Sequence, residues 1–191
     1  ISNGSAICQA LDPDTGKEIW RVVDGAETTV AMPFTEKGIL YWYTGYNIVD
    51  GKKITDLLAV NPDGKGDITA TNIIWTKKDE SLSNQMLSPV IKDGLIYTVT
   101  TLNNMMCIDA SNGKELWLKK VNAAHNASPL YIDGNIWFFS IKGDVLVLKA
   151  GREYEVAATN KMESGIWATP AVVRNSMILR TQQFLYRIGS K

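Results

Sequence analysis

Residues 10–20 read Ala-Leu-Asp-Pro-Asp-Thr-Gly-Lys-Glu-Ile-Trp, and residues 107–117 read Cys-Ile-Asp-Ala-Ser-Asn-Gly-Lys-Glu-Leu-Trp. Each copy runs from an apolar pair into an aspartate, through a polar turn ending in glycine, and out along a strand closed by tryptophan. Asp12 and Asp109 stand where a short carboxylate accepts hydrogen bonds from the next backbone amides. Gly16 and Gly113 supply the positive φ that such a turn needs. A third closing strand ends at Trp75, so Trp20, Trp75 and Trp117 recur at spacings of 55 and 42 residues.

A second marker keeps the same period. Pro33, Pro89, Pro129 and Pro170 stand 56, 40 and 41 residues apart, each followed after four residues by a turn residue and then an apolar strand. Asp93-Gly94 and Asp133-Gly134 are two-residue hairpin signals, and Lys37-Gly38 and Arg174-Asn175 occupy the same place. The strands that follow are rich in Ile, Tyr, Trp and Val, which suit a pleated, half-buried surface. Each repeat of about 41 residues resolves into four short strands, with no helical stretch of three turns carrying an apolar stripe. Four such strands cannot bury both faces alone, so the copies must stack, and radial stacking is the propeller solution.

The reading is therefore all-β: a β-propeller of four-stranded antiparallel blades, about four to five blades' worth. Residues 5–23 give a half blade, 28–77 a blade with insertions, 85–120 and 125–158 two further blades, and 166–188 an incomplete last one. The insertions, Thr44 to Asp56 and Asn61 to Asn72, are rich in Gly, Asp, Asn and Lys and read as surface loops. The repeat weakens between Lys149 and Thr159, where no tryptophan closes the strand. Strands three and four come first and strands one to three last, a phase expected of the C-terminal part of a larger ring.

Composition narrows the function. A chain of 191 residues that is 45% apolar buries an ordinary core. Twenty basic residues balance twenty acidic ones, so no long-range field favours nucleic acid. No apolar run reaches the roughly 20 residues of a membrane-spanning helix. Cys8 and Cys107, far apart and outside any Cys-x-x-Cys pair, read as two small buried apolar residues.

The stretch from Ala10 to Trp20 resembles the tryptophan-docking repeat of the quinoprotein dehydrogenase-like propellers, Ala-x-Asp-x-x-Thr-Gly-Lys-x-x-Trp, at every fixed position. The copy ending at Trp117 matches with Cys for Ala and Asn for Thr. The resemblance implies rings of seven or eight blades, with each indole flat against the next blade. Asp12, Gly16, Trp20, Trp75, Asp109, Gly113 and Trp117 are then structural. It also implies export to the periplasm or cell surface.

By the same resemblance the residues just before each proline rim the central channel: Thr29 and Val30, Gln85 and Met86, His125 and Asn126, Ile166 and Trp167. Thr29, Gln85, His125, Asn126 and Trp167, with Tyr46 in the first insertion, are the candidates for ligand or partner binding. His125 is the only histidine, and an imidazole titrates near pH 6 to 7.

No catalytic residue or metal site is assigned. The family's pyrroloquinoline quinone dehydrogenases use adjacent cysteines, a calcium held by Glu, Asn and Asp, and a catalytic Asp, a set this sequence does not offer, so no cofactor is expected. The segment Asn61 to Asp67 is a faint calcium loop, but Lys65 occupies a ligand position and Asn72 replaces the distal glutamate. Ser128 follows His125 without a carboxylate to complete a triad. Asn126-Ala-Ser128 is a formal glycosylation sequon followed by Pro129. The expectation is a non-catalytic scaffold, similar to the outer-membrane assembly lipoproteins of this family, binding a protein or peptide through loops on one face. A quinone-dependent dehydrogenase and a sugar-binding propeller are the alternatives, and oligomeric state stays open.

Overall fold

The computed structural model describes all residues except 25, 27, 28, 83–86, 190 and 191. Among them the chain forms β1 (Ser2–Gly4), β2 (Ile7–Leu11) and β3 (Glu18–Val23), then β4 (Phe34–Glu36), β5 (Ile39–Val49), β6 (Lys52–Val60), β7 (Gly66–Asp67), one helical turn α1 (Thr69–Asn72) and β8 (Ile73–Asp79). The third repeat gives β9 (Val90–Lys92), β10 (Leu95–Val99), β11 (Asn104–Asp109) and β12 (Glu115–Lys120). The fourth gives β13 (Leu130–Ile132), β14 (Asn135–Phe139), β15 (Asp144–Lys149) and β16 (Val156–Lys161), and the last β17 (Ala171–Val173), β18 (Ser176–Arg180) and β19 (Leu185–Gly189).

These strands make five sheets, numbered here in chain order: β1-β2-β3-β7, β4-β5-β6-β8, β9 to β12, β13 to β16, and the three-stranded β17-β18-β19. The chain is all-β, and its repeats are the antiparallel sheets of a β-propeller. First strands of neighbouring sheets approach one another, β4 beside β9 and β9 beside β13, so the sheets radiate from an axis lined by first strands.

Two readings of the sequence are corrected. The insertions are not simply surface loops. Residues 44–56 extend β5 and β6 into a tall hairpin that turns at Asp50-Gly51, both with positive φ, because β-branched and aromatic residues carry the alternation outward. Residues 61–72 supply β7, which pairs in parallel with β3 at Trp20↔Gly66 and Arg21↔Asp67. The first sheet also begins before residue 5, since Ser2–Gly4 pairs with Ile7–Gln9.

The repeat is kept to the residue. Each third strand faces its fourth through one pair, Ala10↔Trp20, Ala59↔Trp75, Cys107↔Trp117 and Val147↔Ala158, and in all four the register shifts at the next step. A bulge there twists the outer strand and re-aims the side chain beside it. Asp12 Oδ1 accepts from the amides of Asp14 and Thr15 at 3.1 and 2.8 Å, and Asp109 Oδ1 from the Ser111 amide at 3.0 Å.

Sheets two and three show how neighbours are joined. The Trp75 indole donates Nε1–H to the Ala110 carbonyl at 3.0 Å, and its ring lies on Gly113, where a Cβ would come within 2.8 Å of Trp75 Cε3. The Tyr41 hydroxyl donates to the same carbonyl at 3.3 Å. Between sheets three and four, the Tyr97 hydroxyl donates to Gly151 O at 3.2 Å and accepts from Gly151 N at 2.7 Å. Trp117 there is buried against Ile136, Phe138 and Leu148, with its ring edge-on to Tyr154 at 5.2 Å. Trp20 is likewise buried among Leu40, Trp42 and Leu58 of sheet two.

At the axis a second device repeats. The residue before each proline donates its amide to the hydroxyl of its counterpart in the next sheet: Met32 N to Ser88 Oγ at 2.9 Å, Ser88 N to Ser128 Oγ at 3.0 Å, and Ser128 N to Thr169 Oγ1 at 2.9 Å. The amide is thus satisfied at a point where the following proline brings none.

Gly113→Ala is expected to destabilise the protein more than Gly94→Ala. Both glycines have φ above 70°, where a side chain costs about 1–2 kcal/mol, but only Gly113 also meets an indole, which adds about 1–3 kcal/mol of overpacking. Ser128→Ala is expected to cost about 1–3 kcal/mol by stranding the Ser88 amide. Urea unfolding followed by circular dichroism measures all three.

Candidate interaction face

The sheets have two unlike ends. One carries the linkers between sheets and the loops joining second to third strands, knitted by backbone bonds such as Val121 N to Asn103 O (2.9 Å), Ile141 N to Ala124 O (3.0 Å) and Gln182 N to Gly165 O (3.1 Å). The other carries the hairpin turns at Lys37-Gly38, Asp93-Gly94, Asp133-Gly134 and Arg174-Asn175 with the turns after the third strands, joined for example by Ala110 N to Gly94 O at 2.9 Å.

Exposed apolar side chains occur toward both ends, and at the first they stand in the linkers and loops themselves. Val30, Met32, Leu102, Trp167 and Phe184 stand in the linkers and loops of the first end, and Ile48 and Val49 crown the tall hairpin that rises on the same side. Met32 is 66% exposed, Ile48 64% and Trp167 53%. At the opposite end Lys37, Asp93, Asp133 and Arg174 fill the hairpin turns, and the exposed apolar side chains there, Leu11, Ile19, Ile74, Val156, Val173 and Ile188, stand on the adjoining strands.

The hairpin is built to stand rigidly. Thr44 and Gly45 together face Asp56, a bulge in which the Asp56 amide donates to Thr44 Oγ1 at 3.1 Å. The Asp56 carboxylate, buried, is held by Lys78 at 2.8 Å. Higher up, Lys53 Nζ lies 4.1 Å above the Tyr46 ring, so Tyr46 stiffens the hairpin and is only half exposed.

The remaining candidates separate by position in the linker. Four residues before the proline, His125 is 9% exposed, Ile166 is fully buried and Thr29 is half-buried, with Thr29 Oγ1 enclosed. One residue later, Val30 and Trp167 are exposed and Asn126 half-exposed. Among the described pairs the rim is thus made by the second residue, while the first turns inward. Gln85 and Met86 lie outside the described residues. Trp167 shares a cavity of about 280 Å³ with Arg180 and Gln182; His125 lines a separate one with Ser140 and Asp144. The structure does not bring His125 and Trp167 to one pocket.

Burial pushes the His125 imidazole below its ordinary pKa, against the pull of a backbone hydrogen bond at Ala123 and the Asp144 carboxylate. The linker before sheet five is clamped by Glu163, which accepts from Thr181, Tyr186 and Ser164 hydroxyls and is drawn down to about 2, chiefly by the Thr181 bond. Sequence reasoning missed this residue, because nothing local marks a glutamate whose partners Thr181 and Tyr186 lie 18 and 23 residues downstream.

A quinone with calcium would need adjacent cysteines and clustered oxygen ligands. Cys8 and Cys107 are buried in different sheets, their thiols pushed up to about 12 by burial. Among the described residues no three His, Cys, Asp or Glu side chains gather to hold a metal. The residues present do not fit that group.

Radial antiparallel sheets, joined at the rim by indoles, define a quinoprotein-like β-propeller. The family model described as outer membrane protein assembly factor BamB matches residues 3–165, and the chain belongs to that family. Among solved structures, BamB from Moraxella catarrhalis superposes with a TM-score of 0.66 at 16% identity, over 93% of this chain and 51% of that one. The computationally designed Ika8 protein gives 0.68 at 12% identity, over 95% and 51%. The designed Ika4 protein gives 0.65 at 13% identity, over 92% of this chain and all of that one. The chain thus spans about half the length of the first two. No curated protein sequence matches it.

Stability is expected to depend on His125 in acid. With its pKa depressed in the fold, the unfolded chain binds a proton that the folded chain refuses. The contribution is therefore fully present above the ordinary imidazole pKa of about 6.5 and is lost as pH falls toward and through the folded value. Urea midpoints between pH 7.5 and 5 should fall less steeply in His125→Gln, and an imidazole NMR titration of the wild type should report a midpoint below 6.5.

Proposed function

We propose that this chain is a non-catalytic scaffold that binds a protein partner through its loop-bearing end, at the periplasmic side of the outer membrane and in the service of outer-membrane protein assembly. The observation that carries this reading is the set of exposed apolar side chains in the linkers and loops of one end, Val30, Met32, Leu102, Trp167 and Phe184, with the tall Thr44 to Asp56 hairpin standing over it. Family membership supplies the setting. No helix among the described residues is long and apolar enough to cross a membrane.

Such a face recognises a partner by shape and apolar contact. Trp167 and Phe184 offer flat rings, Ile48 and Val49 a β-branched ridge, and aromatic anchors of this sort dominate interface energies. Arg180, beside Trp167, adds a donor for a carboxylate or carbonyl on the partner.

A photo-crosslinking amino acid at Val49 or Phe184 of the whole protein, expressed in cells, is expected to capture a protein partner, whereas the same group at Lys37 or Asp93 captures none. Equal capture from both ends, or none from the loop-bearing end, overturns the reading. Against the captured partner, Trp167→Ala should weaken binding by about 2 kcal/mol, roughly thirtyfold.

A further inference from the structure

After Glu163 the sequence holds no acidic residue, while Arg174, Arg180, Arg187 and Lys191 all fall in this last stretch. Basic and acidic residues balance over the whole chain, so the positive excess around sheet five is matched by a negative one before it. The other two arginines are each neutralised, Arg21 by Glu18 and Arg152 by Asp109, both at 2.7 Å. Among the described residues no carboxylate meets Arg174, Arg180 or Arg187, and Arg187 spends only its Nε–H, on Ser176 Oγ at 3.1 Å.

The repeat shows which way two of these arginines face. Met177, Leu179 and Tyr186 pack on sheet four, so their alternate neighbours Ile178, Arg180, Leu185 and Arg187 stand on the opposite face of sheet five. The fifth residue of each second strand is Tyr43, Val99, Phe139 and then Arg180. The residue paired with the third is Ala59, Cys107, Val147 and then Arg187. In sheets two, three and four these positions pack on the following sheet and are at most 3% exposed. In sheet five both are exposed arginines.

Arg180 pairs with Leu185, which puts Arg187 on the diagonal from it, about 7–8 Å away. Two like charges that close repel until an anion lies between them, and a guanidinium fork matches a carboxylate in bidentate fashion. Apolar groups stand beside them on the same face, Val173 54% and Leu185 71% exposed. A face made only for water intersperses both signs of charge and shows few such groups.

We propose that the face of sheet five turned away from sheet four binds an acidic segment of a protein partner, its carboxylates on Arg180 and Arg187 and its apolar side chains on Val173, Ile178 and Leu185. The inference rests on the scaffold reading above only in taking the partner to be a protein. Crosslinking at Val49 reports the loop-bearing end and the measurement below reports this face, so either can fail alone.

The test titrates the whole protein into a fluorescein-labelled octapeptide of alternating glutamate and valine and follows anisotropy, with the octapeptide of glutamine and valine as control. Saturable binding of the glutamate peptide is expected, roughly tenfold or more tighter than that of the control. Arg180→Gln combined with Arg187→Gln should weaken it by the same factor, whereas Arg174→Gln, in the turn at the far end, should leave it within about twofold. Absence of saturable binding, equal binding of the control, affinity unmoved by the double change, or an equal loss in Arg174→Gln overturns the proposal. So does binding of phosphatidylglycerol vesicles, or self-association lost in the double variant, in place of peptide binding. Should loss of the Arg187 bond to Ser176 unfold the double variant, Arg180→Glu alone must weaken the glutamate peptide roughly tenfold, unchanged affinity again counting against the site.

Discussion

A four-stranded sheet of this length has two apolar faces and no means of covering either, so everything else in the molecule follows from how one sheet is fastened to the next. At the rim the fastening is an indole: Trp75 lies on Gly113 and spends its N–H on the Ala110 carbonyl, whereas Trp117 is held by packing, its Nε1 without a partner among the described residues. Burying so large a ring supplies most of the attraction, and the hydrogen bond fixes where the ring lies. The aspartate that begins the receiving turn holds that turn in shape: Asp109 is bonded to Ser111 and to Arg152, which together keep its carboxyl below the usual range. One sheet's outer strand and the next sheet's turn are therefore parts of one joint.

The axis uses a different joint. There the strands are short and begin with proline, so little ladder bonding is available, and the hydroxyls of Ser88, Ser128 and Thr169 take over. Between sheets two and three and between sheets three and four, rim and axis together hold the pair at two radii, which leaves the ends of the strands free to vary. Variation is found at those ends: a tall hairpin in sheet two, a parallel strand borrowed by sheet one, and linkers whose second residue faces water.

Much of this was legible in the residues. The prolines, the Asp-Gly turns and the tryptophans place strands and turns because each acts locally, through a fixed φ, a positive φ or a large apolar ring, and the repeat multiplies the signal. What was not legible depends on partners distant in sequence. Nothing in Asn61 to Asn72 shows that Gly66 and Asp67 will lie beside Trp20 and Arg21, since parallel pairing of two residues leaves no alternation to read. The hairpin was read as a loop because its Gly, Asp and Lys content outweighed the Tyr46-Asn47-Ile48-Val49 run that forms the strand. The candidate site was legible as a region and not as a set of side chains. The linkers were located by their prolines, but whether His125 or Asn126 faces outward depends on a one-residue rotation that packing decides. Glu163 escaped notice for the same reason.

The short strand Gly66–Asp67 has a wider bearing. It leaves the repeat that encodes it and adds itself to the outer edge of the one before, where the Val23 amide also donates to Thr69 Oγ1 and the Ile68 amide to Arg21 O. In a stacked array each unit ordinarily feels only its neighbours' faces, and cooperativity is the sum of those contacts. Here two units share a strand as well as a face, so backbone hydrogen bonds add to side-chain packing in coupling the first sheet to the second.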